Sequence, residues 1–225
     1  MRQQGWLLVS DVDGTLTTET SVWEYFHKSL NKWNDEGLTN LNAYLSGDID
    51  YNEFARRDAE AYTGLSYKSL DQMAASIPRR FGMEQMLTTF KRRGFTIALI
   101  STGLDILVNQ IPEADIRISN ELEFENSICT GKPVVNIPMD AKEQAFVSLL
   151  SDHGFSAEKT IVLGDSSGDI PMMRLAGYSI AVETMDQNVL QVADANIDGT
   201  DLMRVPALVE EYIETIVSQR STRCR

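Results

Sequence analysis

Residues 6–17 read Trp6-Leu7-Leu8-Val9-Ser10-Asp11-Val12-Asp13-Gly14-Thr15-Leu16-Thr17. The run 6–9 is apolar at every position, which suits a strand buried on both faces of a parallel sheet. It leads straight into two carboxylates, a glycine and a threonine. Open α/β sheets bind ligands outside the carboxyl ends of their strands, and Asp11 and Asp13 fall there.

Three more short, mainly apolar runs, 95–100, 160–163 and 178–182, are likewise continuous rather than alternating. Helical patterns follow them: Leu104/Leu107/Val108/Ile111, Ile170/Met173/Leu175 and Val189/Val192. Strand and helix in alternation predict an α/β fold, a doubly wound, mostly parallel, Rossmann-like sheet. About eighty residues separate the first two runs, far more than a crossover needs, so something is inserted. Val22/Tyr25/Phe26/Leu30/Trp33, Phe54/Ala55/Tyr62 and Tyr67/Leu70/Met73/Ile77 have helical spacing, and Asp50 with Glu53 resembles a capping box. Met83/Met86/Leu87/Phe90, ended by Gly94, reads as the helix that returns to the sheet. The expected organisation is a core of residues 1–17 and 80–225 with a helical cap, 18–79, inserted after the first strand. Alternation between 118 and 137 predicts a small β-hairpin at the edge of the core, and the polar tail from Ser218 is expected to fray.

The 225 residues carry 20 Lys+Arg against 33 Asp+Glu, a formal net charge of -13. Such a surface repels polyphosphate, which argues against nucleic-acid binding, and no apolar run approaches a membrane span. With two His and two Cys, and no paired spacing between the cysteines, zinc sites and a disulfide framework are disfavoured. Lone cysteines without a charged-then-apolar N-terminal segment predict a reducing cytoplasm. Any metal should be a hard cation held by carboxylates.

Two further strand ends carry polar groups. The run 95–100 is followed by Ser101-Thr102-Gly103, and backbone N–H groups at the mouth of a helix suit a phosphate. A Ser or Thr N-cap would look the same. The run 160–163 ends in Gly164-Asp165-Ser166-Ser167-Gly168-Asp169, two more acids in a Gly/Ser-rich loop. Four acids at one sheet edge cannot all stay ionised without a cation.

This combination resembles the haloacid-dehalogenase-like hydrolase superfamily. Asp11 to Thr15 match its DxDGT motif, Ser101 its second motif and Gly164 to Asp169 its GDxxxD motif. The remaining motif is a lysine, for which Lys132 and Lys142 compete; Lys142, at a helix start feeding the strand that ends at Asp165, is the better placed. The insert and hairpin look like the phosphoserine-phosphatase-like branch. The resemblance implies that Asp11 attacks phosphorus and forms an aspartyl-phosphate, and that Asp13 protonates the leaving alcohol and then activates water. It implies Mg²⁺ held by Asp11, Asp13 (through its carbonyl), Asp165 and Asp169, with Lys142 offsetting charge. Phosphate would rest on Ser101, Thr102, Gly103 and Lys142. Glu19, Arg56 and Arg57 are candidate counterparts of the branch's substrate-reading cap residues. Gly168 stands where the fourth motif commonly has Asn, and Ser-Thr-Gly where phosphoserine phosphatases tend to have Ser-Gly-Gly, which weakens the case for phosphoserine in particular.

The implied partner is a small phosphomonoester: phosphoserine, a sugar phosphate or a methionine-salvage phosphate ester. A phosphotransferase to a second alcohol is the neighbouring alternative. A phospho-accepting receiver module shares the chemistry but has its acid pair and acceptor on different strands and lacks an insert of this size; a binder that merely retains the fold need not keep every motif side chain.

Overall fold

The computed structural model describes residues 5–198 and 200–223, with side chains to residue 218. Seven strands form one sheet: β1 (Leu7–Ser10), β2 (Thr96–Leu104), β3 (Ile116–Glu125), β4 (Ile128–Val134), β5 (Thr160–Gly164), β6 (Tyr178–Val182) and β7 (Ala195–Ile197). Their order is β4-β3-β2-β1-β5-β6-β7, and every pair except β3/β4 is parallel. The order reverses at β1, the topological switch where such sheets place ligands. Register sets Ser10 beside Leu99 of β2 and Leu163 of β5. Asp11, the next residue, extends the ladder by donating its N–H to the Leu163 carbonyl at 3.0 Å.

Alternate residues of β1 enter two apolar clusters. Leu8 joins Ile97, Leu99, Ile161 and Leu163 on one face, with α5 (Met83–Arg93), α6 (Asp105–Val108) and α10 (Val205–Arg223). Leu7 and Val9 join Ala98, Ile100 and Val162 on the other, with α7 (Lys142–His153), α8 (Ile170–Leu175) and α9 (Gln187–Val192). Both faces of the central strands are therefore dry, the reason their sequences do not alternate.

Between β1 and α5 lie α1 (Val22–Ser29), a π-turn (Trp33–Gly37), α2 (Leu38–Leu45), α3 (Tyr51–Glu60) and α4 (Tyr67–Ala75). Their inward residues, among them Val22, Phe26, Phe54 and Tyr62, belong to the same cluster as Leu8. Asp50 caps α3 by accepting the Glu53 N–H at 2.8 Å. The reciprocal half of the expected capping box does not form, because the Glu53 carboxylate is taken by Arg56 and Arg57.

Several expectations are corrected in detail. The first inserted helix stops at Ser29, not Trp33, since Asn31 turns to φ 57. The hairpin belongs to the main sheet, as β3 pairs in parallel with β2 before β4 folds back on it. β2 runs on through Ser101-Thr102-Gly103 to Leu104, with a register shift after Ile100, so the helix expected there is only the single turn Asp105–Val108. α10 extends into the polar tail as far as Arg223. Cys224 lies outside the described residues. No described helix is long and apolar enough to cross a membrane.

Candidate active site

The loop after β1 is held at Gly14. Gly14 adopts φ +84, a left-handed conformation that favours glycine, and a Cβ there would collide with the Asp165 carboxylate. The Gly14 carbonyl accepts from Arg80 Nε at 3.1 Å and Nη2 at 2.6 Å. Arg80 also pairs with Glu183. These contacts fix the direction in which Asp11 and Asp13 leave the strand.

Asp11 and Lys142 meet in the buried floor. Lys142 Nζ donates to Asp11 Oδ1 and Asp169 Oδ1, each at 2.7 Å. Burial opposes the ammonium charge, but Asp11 and Asp169 outweigh it and hold Lys142 above the usual lysine range. Lys132 instead lies on the hairpin surface, 71% exposed, 3.4 Å from Glu123. Burial pushes the Asp11 carboxyl well up; Lys142 opposes this, and Asp169 and Asp165 add to it.

Asp13 points elsewhere. Its Oδ1 accepts the Val22 N–H at 2.6 Å and its Oδ2 the Ser101 hydroxyl at 3.0 Å. Burial first, then the charge of Asp11, raises its carboxyl to about 7. A carboxyl poised there can both give and take a proton near neutral pH. The Ser101 hydroxyl also accepts the Gly103 N–H at 2.9 Å. The expected phosphate cradle is thus modified: Ser101 is committed to Asp13, while Thr102 and Gly103 line the cavity.

Asp165 accepts the Thr15 hydroxyl at 2.6 Å and faces Asp11 closely enough to share a hydrogen bond. Burial and the charge of Asp169 raise it to about 6. Asp169 Oδ2 accepts the Asp165 N–H at 3.2 Å, the Ser166 N–H at 3.1 Å and the Ser166 hydroxyl at 3.0 Å. Asp11, Asp165 and Asp169 each offer a carboxylate oxygen within 4.8 Å of one another. Facing carboxylates need a proton or a cation between them, and an all-oxygen set fits a hard divalent ion. The Asp13 side chain stands outside this group.

Above the floor opens a cavity of about 650 Å³, bounded by the strand ends and by α1, α2 and α3. Glu19, Arg56 and Arg57 are not among its lining residues. Arg56 and Arg57 sit on the outward face of α3, engaged with Glu53, and Arg56 with Glu60 as well. Helical phase explains the correction, because Tyr51, Phe54 and Asp58 occupy the inward face of the same helix. Sequence reasoning missed these three, along with Trp23, whose Nε1 donates to the Thr102 carbonyl at 3.3 Å. Tyr51 donates to that carbonyl at 2.8 Å, and Asn120 Nδ2 does so at 2.8 Å. The i, i+3, i+7 spacing of Tyr51, Phe54 and Asp58 was the available signal.

The profile of the family described as haloacid dehalogenase-like hydrolase matches residues 8–174. The phosphoserine phosphatase SerB2 of Mycobacterium tuberculosis is 28% identical over 197 residues, 85% of this chain and 47% of that protein. The phosphoserine phosphatase of Archaeoglobus fulgidus is 26% identical over 209 residues, and 60% of its length is spanned. That of Lactococcus lactis is 27% identical over 212 residues, 92% of this chain and 97% of the relative. The fold is similar to that of a phospho-aspartyl intermediate analogue of phosphoserine phosphatase, with TM-score 0.75, 22% identity, and 92% and 99% of the two chains covered.

Proposed function

The chain belongs to the haloacid dehalogenase-like hydrolase family, and we propose that it is a Mg²⁺-dependent phosphatase that cleaves a small phosphomonoester through a phosphoryl group carried on Asp11. One observation carries the reading: Lys142 bridges Asp11 and Asp169 at 2.7 Å beside a three-carboxylate cluster at the cavity floor. Relatives named phosphoserine phosphatase support the substrate class, of which phosphoserine is one member.

Asp11 Oδ2, which Lys142 leaves open and Thr15 approaches at 3.4 Å, is the oxygen to attack phosphorus. Lys142, fixed on Oδ1, offsets charge on the nucleophile and holds it in place. Asp13, raised to about 7, donates its proton to the leaving oxygen and then takes one from the attacking water. Ser101 and the Val22 N–H orient Asp13 for both steps. Mg²⁺ would be held by Asp11, Asp165 and the Asp13 carbonyl, with Asp169 steadying the set, and would neutralise the phosphoryl oxygens. Residues 18–79 act as a cap over the core formed by 1–17 and 80–225, and the cap excludes water from the first step. The composition favours a cytoplasmic enzyme of small molecules rather than of nucleic acid.

The test is phosphate release from 4-nitrophenyl phosphate with Mg²⁺ and with a chelator. Wild-type protein should turn over only with the metal, and Asp11→Asn should fall to background. Full activity in Asp11→Asn removes the nucleophile from the scheme.

A further inference from the structure

The cavity is rich in rings and acids and poor in cations. The Tyr44, Tyr51 and Phe54 rings cluster at centroid separations of 5.3 to 5.8 Å, and Trp23 and Trp33 line the same space. Asp58, also on the wall, is 1% exposed. Its Oδ1 accepts from Asn40 Nδ2 at 2.8 Å, and His27 Nε2 lies 3.3 Å away. Among the described residues no donor reaches Asp58 Oδ2. The other wall acid, Glu24, is paired with Lys28 at 2.6 Å. Lys142 is the cavity's one cationic lining side chain among the described residues, and it is committed to Asp11 and Asp169.

A carboxylate on the leaving group would find hydroxyl donors such as Thr20 and Ser21 but no uncommitted cation among the described lining residues, and would face Asp58. An ammonium group would lie against aromatic faces, which attract cations, with the cavity-lining Asp58 carboxylate, whose Oδ1 alone is engaged, to complete the contact. We propose that the substrate is the phosphomonoester of an amino alcohol that bears an ammonium group and no carboxylate, with Asp58 as the residue that selects it. This rests on the phosphatase reading above. The chemistry is unchanged: the Asp11–phosphorus bond forms, and the ester P–O bond breaks with its electron pair on the alcohol oxygen. That oxygen takes the Asp13 proton, and water then releases inorganic phosphate from Asp11. The ammonium group is not altered.

The probes are phosphocholine, phosphoethanolamine, phosphoserine and 4-nitrophenyl phosphate, compared by kcat/KM with Mg²⁺. Phosphocholine should exceed phosphoserine by about tenfold or more, the scale of one desolvated cation–ring contact with a charge partner. Asp58→Asn keeps an acceptor for Asn40, and it should lower the phosphocholine to 4-nitrophenyl phosphate ratio by about tenfold, mainly through KM. Using a ratio within one protein cancels any loss of folded enzyme. Phosphoserine equal to or better than phosphocholine, or a ratio that Asp58→Asn leaves unmoved, overturns the proposal while leaving the phosphatase intact. If 4-nitrophenyl phosphate is not cleaved, the phosphatase reading falls and this inference with it.

Discussion

Asp13 is the residue whose environment most sharply sets its behaviour. Burial and the neighbouring Asp11 raise its carboxyl to about 7, whereas an unfolded-chain Asp titrates near 3.9. The folded state therefore binds a proton that the unfolded chain has released. Its stabilising contribution is complete below about pH 4 and is lost as pH rises through about 7. In metal-free protein this adds a loss of up to about 1.4 kcal/mol per pH unit within that window. Asp165, raised to about 6, acts in the same direction. Chemical denaturation at several pH values should show Asp13→Asn with a shallower decline than wild type; identical slopes would contradict the buried, proton-binding Asp13. Lys142 is the opposite case, a buried cation between two acids. Lys142→Met should cost about 3–5 kcal/mol, the penalty of leaving buried charge unpaired, and a loss below about 1 kcal/mol would place the lysine in water instead. The four acids could be picked out because each stands at or near a strand end beside glycine or a hydroxyl residue, and Lys142 because it opens a helix in a chain that carries the other motifs. Asp58 was not, since its one signal is the helical phase it shares with Tyr51 and Phe54, and an acid is the residue type that such a phase least suggests for a buried face.

At the level of elements, α3 joins the two kinds of information. Asp50 caps it, and its inward face carries Tyr51, Phe54 and Asp58 while its outward face carries the Glu53/Arg56/Arg57 network. Asp50→Ala should destabilise the protein by about 0.5–2 kcal/mol through loss of the cap; no change in the denaturation midpoint would show that the inserted helices unfold apart from the measured transition. Arg56→Ala, by contrast, should leave the denaturation midpoint close to that of wild type, because its pairs are exposed, and should leave kcat/KM unchanged. A large rise in KM would restore it to the substrate site. The core strands β1, β5 and β6 were readable as continuous apolar runs. β7 has only three residues and too little pattern to find. The last helix, which the sequence reading did not identify, buries Val205, Val209 and Ile213 at a spacing of four residues and packs against α5 and β6.

Across the whole molecule, the sheet's switch point gathers residues from β1, β2, β5 and α7 onto one floor, and the inserted helices supply the walls. The sequence located the floor through spacing. The walls depend on helical phase and on how α1, α2 and α3 pack over Thr102, where Trp23, Tyr51 and Asn120 converge. Such convergence joins residues 18 to 79 positions apart, beyond the reach of local pattern. Four of the acids behind the net charge of -13, Asp11, Asp13, Asp165 and Asp169, meet at one end of the sheet, and neither histidine lines the cavity above them. The central claim is that Asp11 carries the phosphoryl group and that Asp13 moves the proton. With 4-nitrophenyl phosphate the leaving group needs little proton help, so Asp13→Asn should slow water attack far more than the first step. Rapid mixing of Asp13→Asn with Mg²⁺ and ³²P-labelled substrate should give a burst of about one nitrophenolate per chain, with the label trapped on the peptide that contains Asp11. Label on any other residue, or turnover at the wild-type rate without a burst, would contradict the account.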